Sequence, residues 1–442
     1  MASGATSLKG IIKGTGMLVK TGAGQLNITY GGANTWSGGT QLKAGTLAMG
    51  AWNTTFGVAT SKIEVLDNST IRVFDNNSTS AVPTLNNTID VMSGKTLTIE
   101  TGKRCAIRGK LTGKGNVKIS FPYVRGDVYT NMSAFEGVFE STGGQLRLAS
   151  AIDLSKGTLK LGAGVYAAHV KGGSGDEQVL TSKIGKLESS AADCTLASGV
   201  WNVGYLGENS TYAGVFNSAA TLNKYGEGDL TLTGASSGKL NIYAGRVLVG
   251  NTSAATTSGQ ITVNAGGTLA GTGKAASVIV NKDGVIGAGK STFSVGTLTL
   301  TGSLNVKSGA IIYLRARGTS KLSNDKLDVA GKVTLASPVF RIEHMNGEFK
   351  EGDEMKFFVG DGAITLTGEP VFEPAVPAPG YLWDYSTLAT DGTIRVVADP
   401  VGIDGIEVDA DGKQDVYDLT GRKLRNANGK GVYIINGKKI AK

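Results

Sequence analysis

One string is written twice in this chain: residues 20–31 read KTGAGQLNITYG and residues 224–234 read KYGEGDLTLTG. A Lys-x-Gly-x-Gly-x-Leu-x-[Ile/Leu]-Thr pattern that returns without a catalytic signature marks a repeated structural unit, the hallmark of solenoids. One solenoid coil cannot bury its apolar side alone and needs a neighbour above and below. The repeat therefore restricts the fold more than any other feature of the sequence.

The spacing within the string has a physical reading. Between residues 14 and 28 the even positions are Gly14, Gly16, Leu18, Lys20, Gly22, Gly24, Leu26 and Ile28, so apolar residues and glycines share one parity. That is the period of a half-buried strand, with glycine where a stacked coil or a tight corner leaves no room for a side chain. The same grammar of strand and glycine corner recurs at 42–47, 154–159, 242–249, 263–269 and 306–314. Gly245, Gly266, Gly284 and Gly309 stand 21, 18 and 25 residues apart, which sets the coil at about twenty residues.

Composition agrees. Glycine is 66 of 442 residues while proline is only 8, so the glycine excess is not that of a Pro/Gly disordered linker. No apolar run reaches the eighteen or so residues that would suggest a membrane-spanning helix. About fifteen coils, each advancing one strand spacing of about 4.8 Å, would make a rod on the order of 70 Å long.

The repeated string resembles the autotransporter-associated β-strand repeat. Leu18, Lys20, Gly22, Gly24, Leu26 and Ile28 match its L-x-K-x-G-x-G-x-L-x-L core, followed by Thr35-Trp36-Ser37-Gly38-Gly39-Thr40 and Gly45-Thr46-Leu47. The second copy places Lys224, Gly226, Gly228 and Leu230 at the same positions, with its tail shortened to Ser236-Ser237-Gly238, and a worn copy stands at Gly113, Gly115, Val117 and Ile119. The resemblance implies an all-β protein: a right-handed single-stranded parallel β-helix over residues 1–320, as in autotransporter passengers secreted by Gram-negative bacteria.

Residues 321–398 read as a β-rich C-terminal cap. Asn346-Gly347, Asp361-Gly362 and Asp391-Gly392 are hairpin turn signals, and Pro374, Pro377 and Pro379 make a stiff exposed loop before Leu382-Trp383-Asp384. Residues 399–442 are similar to a type IX secretion C-terminal sorting domain: Tyr417, Asp418, Gly421 and Arg422 fit its V-Y-D-x-x-G-R segment, Gly431 and Tyr433 its G-[VI]-Y-I strand, and Lys438 and Lys439 its terminal basic strand. The resemblance implies a small immunoglobulin-like segment read by the secretion machinery. Asn436-Gly437 and Asp411-Gly412 are hairpin signals within it. Met1-Ala2-Ser3-Gly4 leads into polar sequence with no apolar signal-peptide core, so export rests on the other end, and any leader is expected to have been removed.

Chemistry is sparse. Glu64, Asp67, Arg72 and Asp75 are the best local group for a lyase-like carboxylate and base, although a solvated outer face explains them more simply. His169 and His344 are the only histidines, without a second ligand at metal spacing. Cys105 and Cys194 share parity with inward residues and read as separate core thiols, too far apart along a rod to bridge. The net charge of +8 is spread along the chain, with Arg422, Lys423, Arg425, Lys430, Lys438, Lys439 and Lys442 gathered in the sorting segment, so nucleic acid is not an expected partner.

The expectation is a monomeric, secreted or outer-membrane-attached structural or adhesin-like protein, without catalytic residue, cofactor, metal or transmembrane span. Contacts with host, matrix or other cells would come from Thr, Ser, Asn and aromatics such as Tyr30, Trp36, Trp52, Tyr123 and Tyr129. The alternative is a carbohydrate-active, polysaccharide lyase-like or glycan-binding β-helix.

Overall fold

The computed structural model describes residues 4–29, 34–122, 126–172, 176–250, 256–289, 294–318, 322–399, 416–418, 421–424, 432–435 and 438–441. The chain winds as a stack of coils whose strands pair in parallel with those one coil before and after. The longest ladder runs from Ala5–Leu8 through Gln25–Ile28, Gly45–Met49, Ser69–Arg72, Thr96–Glu100 and Asn116–Phe121. It continues through Val138–Leu148, Asp153–Leu161, Thr181–Glu188, Thr195–Val203 and Val215–Lys224. Lys239–Ile242, Ile261–Val263, Val278–Val280, Leu304–Val306, Val333–Ala336 and Ile364–Thr367 complete it. Shorter parallel ladders form the other faces, one from Leu18–Lys20 to Ala134–Phe135 and one from Ser210–Tyr212 to Val371–Glu373.

Register explains why the inward parity is apolar. Leu26, Leu47, Ile71, Ile99 and Ile119 lie over one another on successive coils. Farther along, Leu222, Leu240, Ile261, Val278, Leu304 and Val333 do the same. All but Leu26 in these two columns are buried, and each such aliphatic removed from water is worth about 1.5–3 kcal/mol. A slip of one residue would turn a whole strand inside out, so these columns fix the coil register.

The glycine corners are sharper than the sequence suggested. Residues 42–47 do not form one strand: Thr40–Leu42 ends, the chain turns at Gly45 (φ +71°), and Gly45–Met49 begins on another face. The segments at 242–249, 263–269 and 306–314 divide in the same way, whereas 154–159 lies within the single strand Asp153–Leu161. A Cβ on Gly45 would stand 2.4 Å from the carbonyl oxygen of Gly22, so stacking excludes a side chain there as firmly as the dihedral does. Coils also vary in length, from 17 residues between Asn264 and Asn281 to 32 between Arg341 and Glu373.

Parallel stacking does not stop at residue 320. Lys326–Val329 pairs with Phe358–Val359, Val333–Ala336 with Ile364–Thr367, and Val339–His344 with Val371–Glu373, all in parallel. The turn signals expected to make hairpins do other work. Asp361-Gly362 joins two strands of different ladders, and Gly392 closes the one-turn helix Leu388–Asp391 in a left-handed conformation (φ +78°). Asn-Gly and Asp-Gly supply a positive φ, and a coil corner uses that as readily as a hairpin. The antiparallel cap is confined to Glu354–Lys356, Tyr381–Asp384 and Thr393–Ala398. Its Trp383 stacks on Phe372 at 5.8 Å, and Phe372 stacks on Phe340 at 5.5 Å, so aromatic rings lead from the last coils into the cap. Trp383 also donates its indole N–H to the Pro374 carbonyl at 2.9 Å, tying the exposed proline loop down.

The C-terminal strands form a separate four-stranded antiparallel sheet, with Val432–Ile435 between Val416–Tyr417 and Lys438–Ala441, and Lys423–Leu424 on the outer side of Val416–Tyr417. Ile435 faces Lys438, which leaves two residues for the connection. These are Asn436 and Gly437, which lie outside the described residues, as do Asp411, Gly412, Arg425, Lys430 and Lys442.

Candidate functional site

The two repeat copies build the same buried device. Lys20 and Lys224 close strands Leu18–Lys20 and Val215–Lys224 on the inward parity and are 5% and 1% exposed. Among the described residues neither ammonium forms an ion pair, although Asp229 and Glu227 act on Lys224 from a distance. Lys224 Nζ instead donates to the carbonyl oxygens of Tyr225 at 2.8 Å and Gly226 at 2.6 Å in its own corner, and to Ala244 at 3.2 Å in the next coil. Lys20 Nζ donates to Thr21 at 3.0 Å, Gly22 at 2.7 Å and Ala44 at 3.0 Å. Burial pushes the Lys224 pKa down to about 8 and lowers that of Lys20 as well.

This geometry accounts for the spacing of the string. Gly22 and Gly226 adopt φ of +74° and +68°, which turns their carbonyls toward the ammonium. Gly228 packs so closely that a Cβ would stand 2.3 Å from the Glu208 carbonyl, while the Gly24 carbonyl approaches the position a Cβ on Gly45 would take to 2.6 Å. Leu26 and Leu230 then return the chain to the apolar interior. The lysine is thus a staple between consecutive coils, and the glycines make room for it.

The C-terminal motif is also a local device. Asp418 accepts from the Arg422 backbone N–H at 2.9 Å and from Arg422 Nε at 3.2 Å, and Gly421, with φ +82°, donates to the Asp418 carbonyl at 3.0 Å. The clamp sets Tyr417 opposite Lys423. Tyr433 lies in the central strand and Lys438 and Lys439 in the edge strand beside it, while Gly431 lies outside the described residues.

The lyase-like group does not converge. Glu64 pairs with Lys62 at 2.9 Å, Asp67 with Lys95 at 2.9 Å and Arg72 with Glu100 at 2.7 Å. Glu64 and Arg72 stand on different ladders, because a corner separates Lys62–Val65 from Ser69–Arg72. Among the described residues no three His, Cys, Asp or Glu side chains gather as a metal group. His169 is buried beside Trp201; its Nδ1–H donates to the Ser198 carbonyl at 3.2 Å, its Nε2 shares a hydrogen bond with Ser182 Oγ at 2.8 Å, and burial lowers its pKa. Cys105 and Cys194 are separate buried thiols.

Of the aromatics expected outside, Trp36 is a correction. It is 2% exposed, because its indole N–H donates to Gly39 O and Thr40 Oγ1, both at 3.2 Å, deep in the corner that the Trp-Ser-Gly-Gly-Thr run creates. Trp52 is exposed, Tyr129 is half-buried under the Arg108 guanidinium, and Tyr30 and Tyr123 lie outside the described residues. Sequence reading passed over Tyr205, Tyr225 and Tyr243, and Asn202, Asn223 and Asn241. Two of these pairs share an Asn-x-Tyr spacing at the end of successive strands, a signal visible only once the coils are aligned.

A parallel β-solenoid with lysine-stapled corners and an aromatic end cap is thus the class of protein that fold and site define. The passenger-associated-transport-repeat family model matches residues 18–49, which span the Lys20 corner, the Trp36 turn and the Gly45 corner. No curated protein matches the chain. Among the described residues no helix is long and apolar enough to cross a membrane.

Proposed function

We propose that this chain is a secreted or cell-surface passenger-type scaffold: a right-handed β-helical rod that carries adhesive surfaces away from the cell, and not an enzyme. The observation that carries the reading is the passenger-type repeat at residues 18–49 set within a parallel stack whose buried corner lysines, Lys20 and Lys224, are held by backbone carbonyls. A rod of this kind gives reach and repeated outward faces. Of the charged residues that suggested catalysis, Glu64, Asp67 and Arg72 are each paired with a neighbouring ion, which supports a structural role for them.

Residues 399–442 act in this reading as an immunoglobulin-like sorting signal for type IX secretion. The Asp418–Arg422 clamp and the edge strand that carries Lys438 and Lys439 are the parts of the segment that support this reading. The test is surface labelling in a Gram-negative host that has the type IX apparatus. The full chain should be labelled on intact cells, and deletion of residues 400–442 should leave it inside the outer membrane. Equal surface labelling of both forms would contradict the sorting role.

A further inference from the structure

Beside the Lys224 staple the long ladder carries an exposed pattern that neither the repeat nor the cap requires. Val215–Lys224 runs into Asn223-Lys224-Tyr225, and Lys239–Ile242 into Asn241-Ile242-Tyr243. On the coil before them Asn202 and Tyr205 take corresponding places. Lys224 and Ile242 point inward, so the asparagine and tyrosine on either side point outward.

Each set forms a row along the coil axis. Asn223 donates to Asn202 at 2.8 Å and Asn241 to Asn223 at 2.8 Å. The rings of Tyr205 and Tyr225 stack at 5.3 Å and 15°, and those of Tyr225 and Tyr243 at 5.0 Å and 9°. Tyr205 and Tyr243 are each 39% exposed, with Leu206 exposed beside them. The register continues the phenol row into Asn264 and Asn281, which are joined at 2.9 Å, so amides extend it by two coils.

The chemistry of this strip is narrow. Neither row contains a charge; of the ions nearby, Asp229 pairs with Arg246 at 2.6 Å and Glu208 with Lys186 at 3.3 Å, while Lys183, opposite Asn202 on the preceding coil, and Glu227 are exposed at the margins. Ring edges with phenol hydroxyls and planar amides recur at the coil spacing, offering apolar surface and paired donor and acceptor groups in step. Around the same corner opens a polar cleft of about 440 Å³, whose wall includes Ser189, Asn209 and Thr211 together with the charged Lys160, Glu188 and Asp229. An exposed aromatic strip with a polar margin is suited to an interaction, and the two uncharged rows match a partner that is itself uncharged, rich in hydroxyls and repetitive along one direction.

We propose that the double row of Asn202, Asn223 and Asn241 with Tyr205, Tyr225 and Tyr243 binds a neutral polysaccharide laid along the coil axis. Sugar C–H groups pack along the exposed edges of the stacked tyrosine rings, and sugar hydroxyls exchange hydrogen bonds with the amides and phenols. The binding goes beyond the scaffold reading and does not depend on the route of export.

The test is affinity electrophoresis and calorimetry of the full chain with galactomannan, xyloglucan and a soluble β-glucan, beside alginate and pectate as anionic controls. At least one neutral polymer should retard the protein independently of salt. Tyr225→Ala should weaken that binding about tenfold and the triple Tyr205→Ala, Tyr225→Ala, Tyr243→Ala should abolish it, while Met92→Ala, at an exposed position on a distant coil, leaves it unchanged. Should the triple variant misfold by circular dichroism, Tyr225→Phe and Asn223→Asp serve instead, and each should lower affinity. Absence of retardation by every neutral polymer, retention in the folded tyrosine variants, or binding only to the anionic polymers would overturn the proposal.

Discussion

The Lys224 ammonium reaches across to the Ala244 carbonyl of the next coil at 3.2 Å, and Lys20 makes the same reach to Ala44 at 3.0 Å. Desolvating a lysine without a carboxylate is unfavourable, and three carbonyl acceptors per ammonium offset that cost. Lys224→Met keeps the length and apolar stem but leaves those carbonyls without their donor. It should destabilise the protein by about 2–3 kcal/mol, read as a lower denaturant midpoint, with faster amide exchange at the hydrogen-bonded Tyr243 N–H in the same corner.

The corner glycines provide a paired comparison. Gly164 has φ +65° with open space where a Cβ would go, so Gly164→Ala should carry only the dihedral penalty, about 1 kcal/mol. Gly45 has φ +71°, and its Cβ would meet the Gly22 carbonyl at 2.4 Å and Lys20 Nζ at 2.6 Å. Gly45→Ala should therefore cost at least about 2 kcal/mol more, as thermal or chemical melts of both variants will show. Equal losses would mean that the corner tolerates spreading.

His169 gives the fold a pH dependence. Burial lowers its folded-state pKa, so on acidification the unfolded chain takes up a proton first, near pH 6.5, while the folded chain resists. Stability from this site is present above about pH 6.5 and is lost as pH falls below it. A series of melts between pH 7.5 and 5 should show that decline, and His169→Gln should flatten it.

Much of this architecture could be read from residues alone, and the failures have physical causes. The even parity of Leu18, Lys20, Leu26 and Ile28 predicted stacked strands, and the parallel ladders bear it out. The same parity placed Lys20 inside, yet nothing in the sequence named the carbonyls that receive it, because one belongs to Ala44 of the next coil. Trp36 looked like a surface contact because the Gly38-Gly39 turn that buries its ring has no apolar signature of its own. The asparagine and tyrosine rows escaped for a third reason: coils of 17 to 32 residues hide any fixed period.

A buried ion pair ties the later coils together. Arg315 and Asp325 are both buried and meet at 2.7 Å, with Arg315 Nη2 also donating to Ala288 O at 2.8 Å and Asp325 accepting from the Gly296 N–H at 2.8 Å. Asp325→Ala should cost about 3–5 kcal/mol because it strands a buried guanidinium, whereas the double Arg315→Met, Asp325→Leu should recover much of that loss. Denaturation of the two variants distinguishes stranded charge from lost packing.

Small-angle X-ray scattering of the purified chain tests the stacked-coil architecture most directly. The long ladder advances about 4.8 Å per coil, so stacked coils should give a skewed pair-distance distribution with a tail beyond about 75 Å and a thin cross-section. A symmetric distribution with a radius of gyration near 22 Å, as expected of a compact globule of about this length, would contradict it.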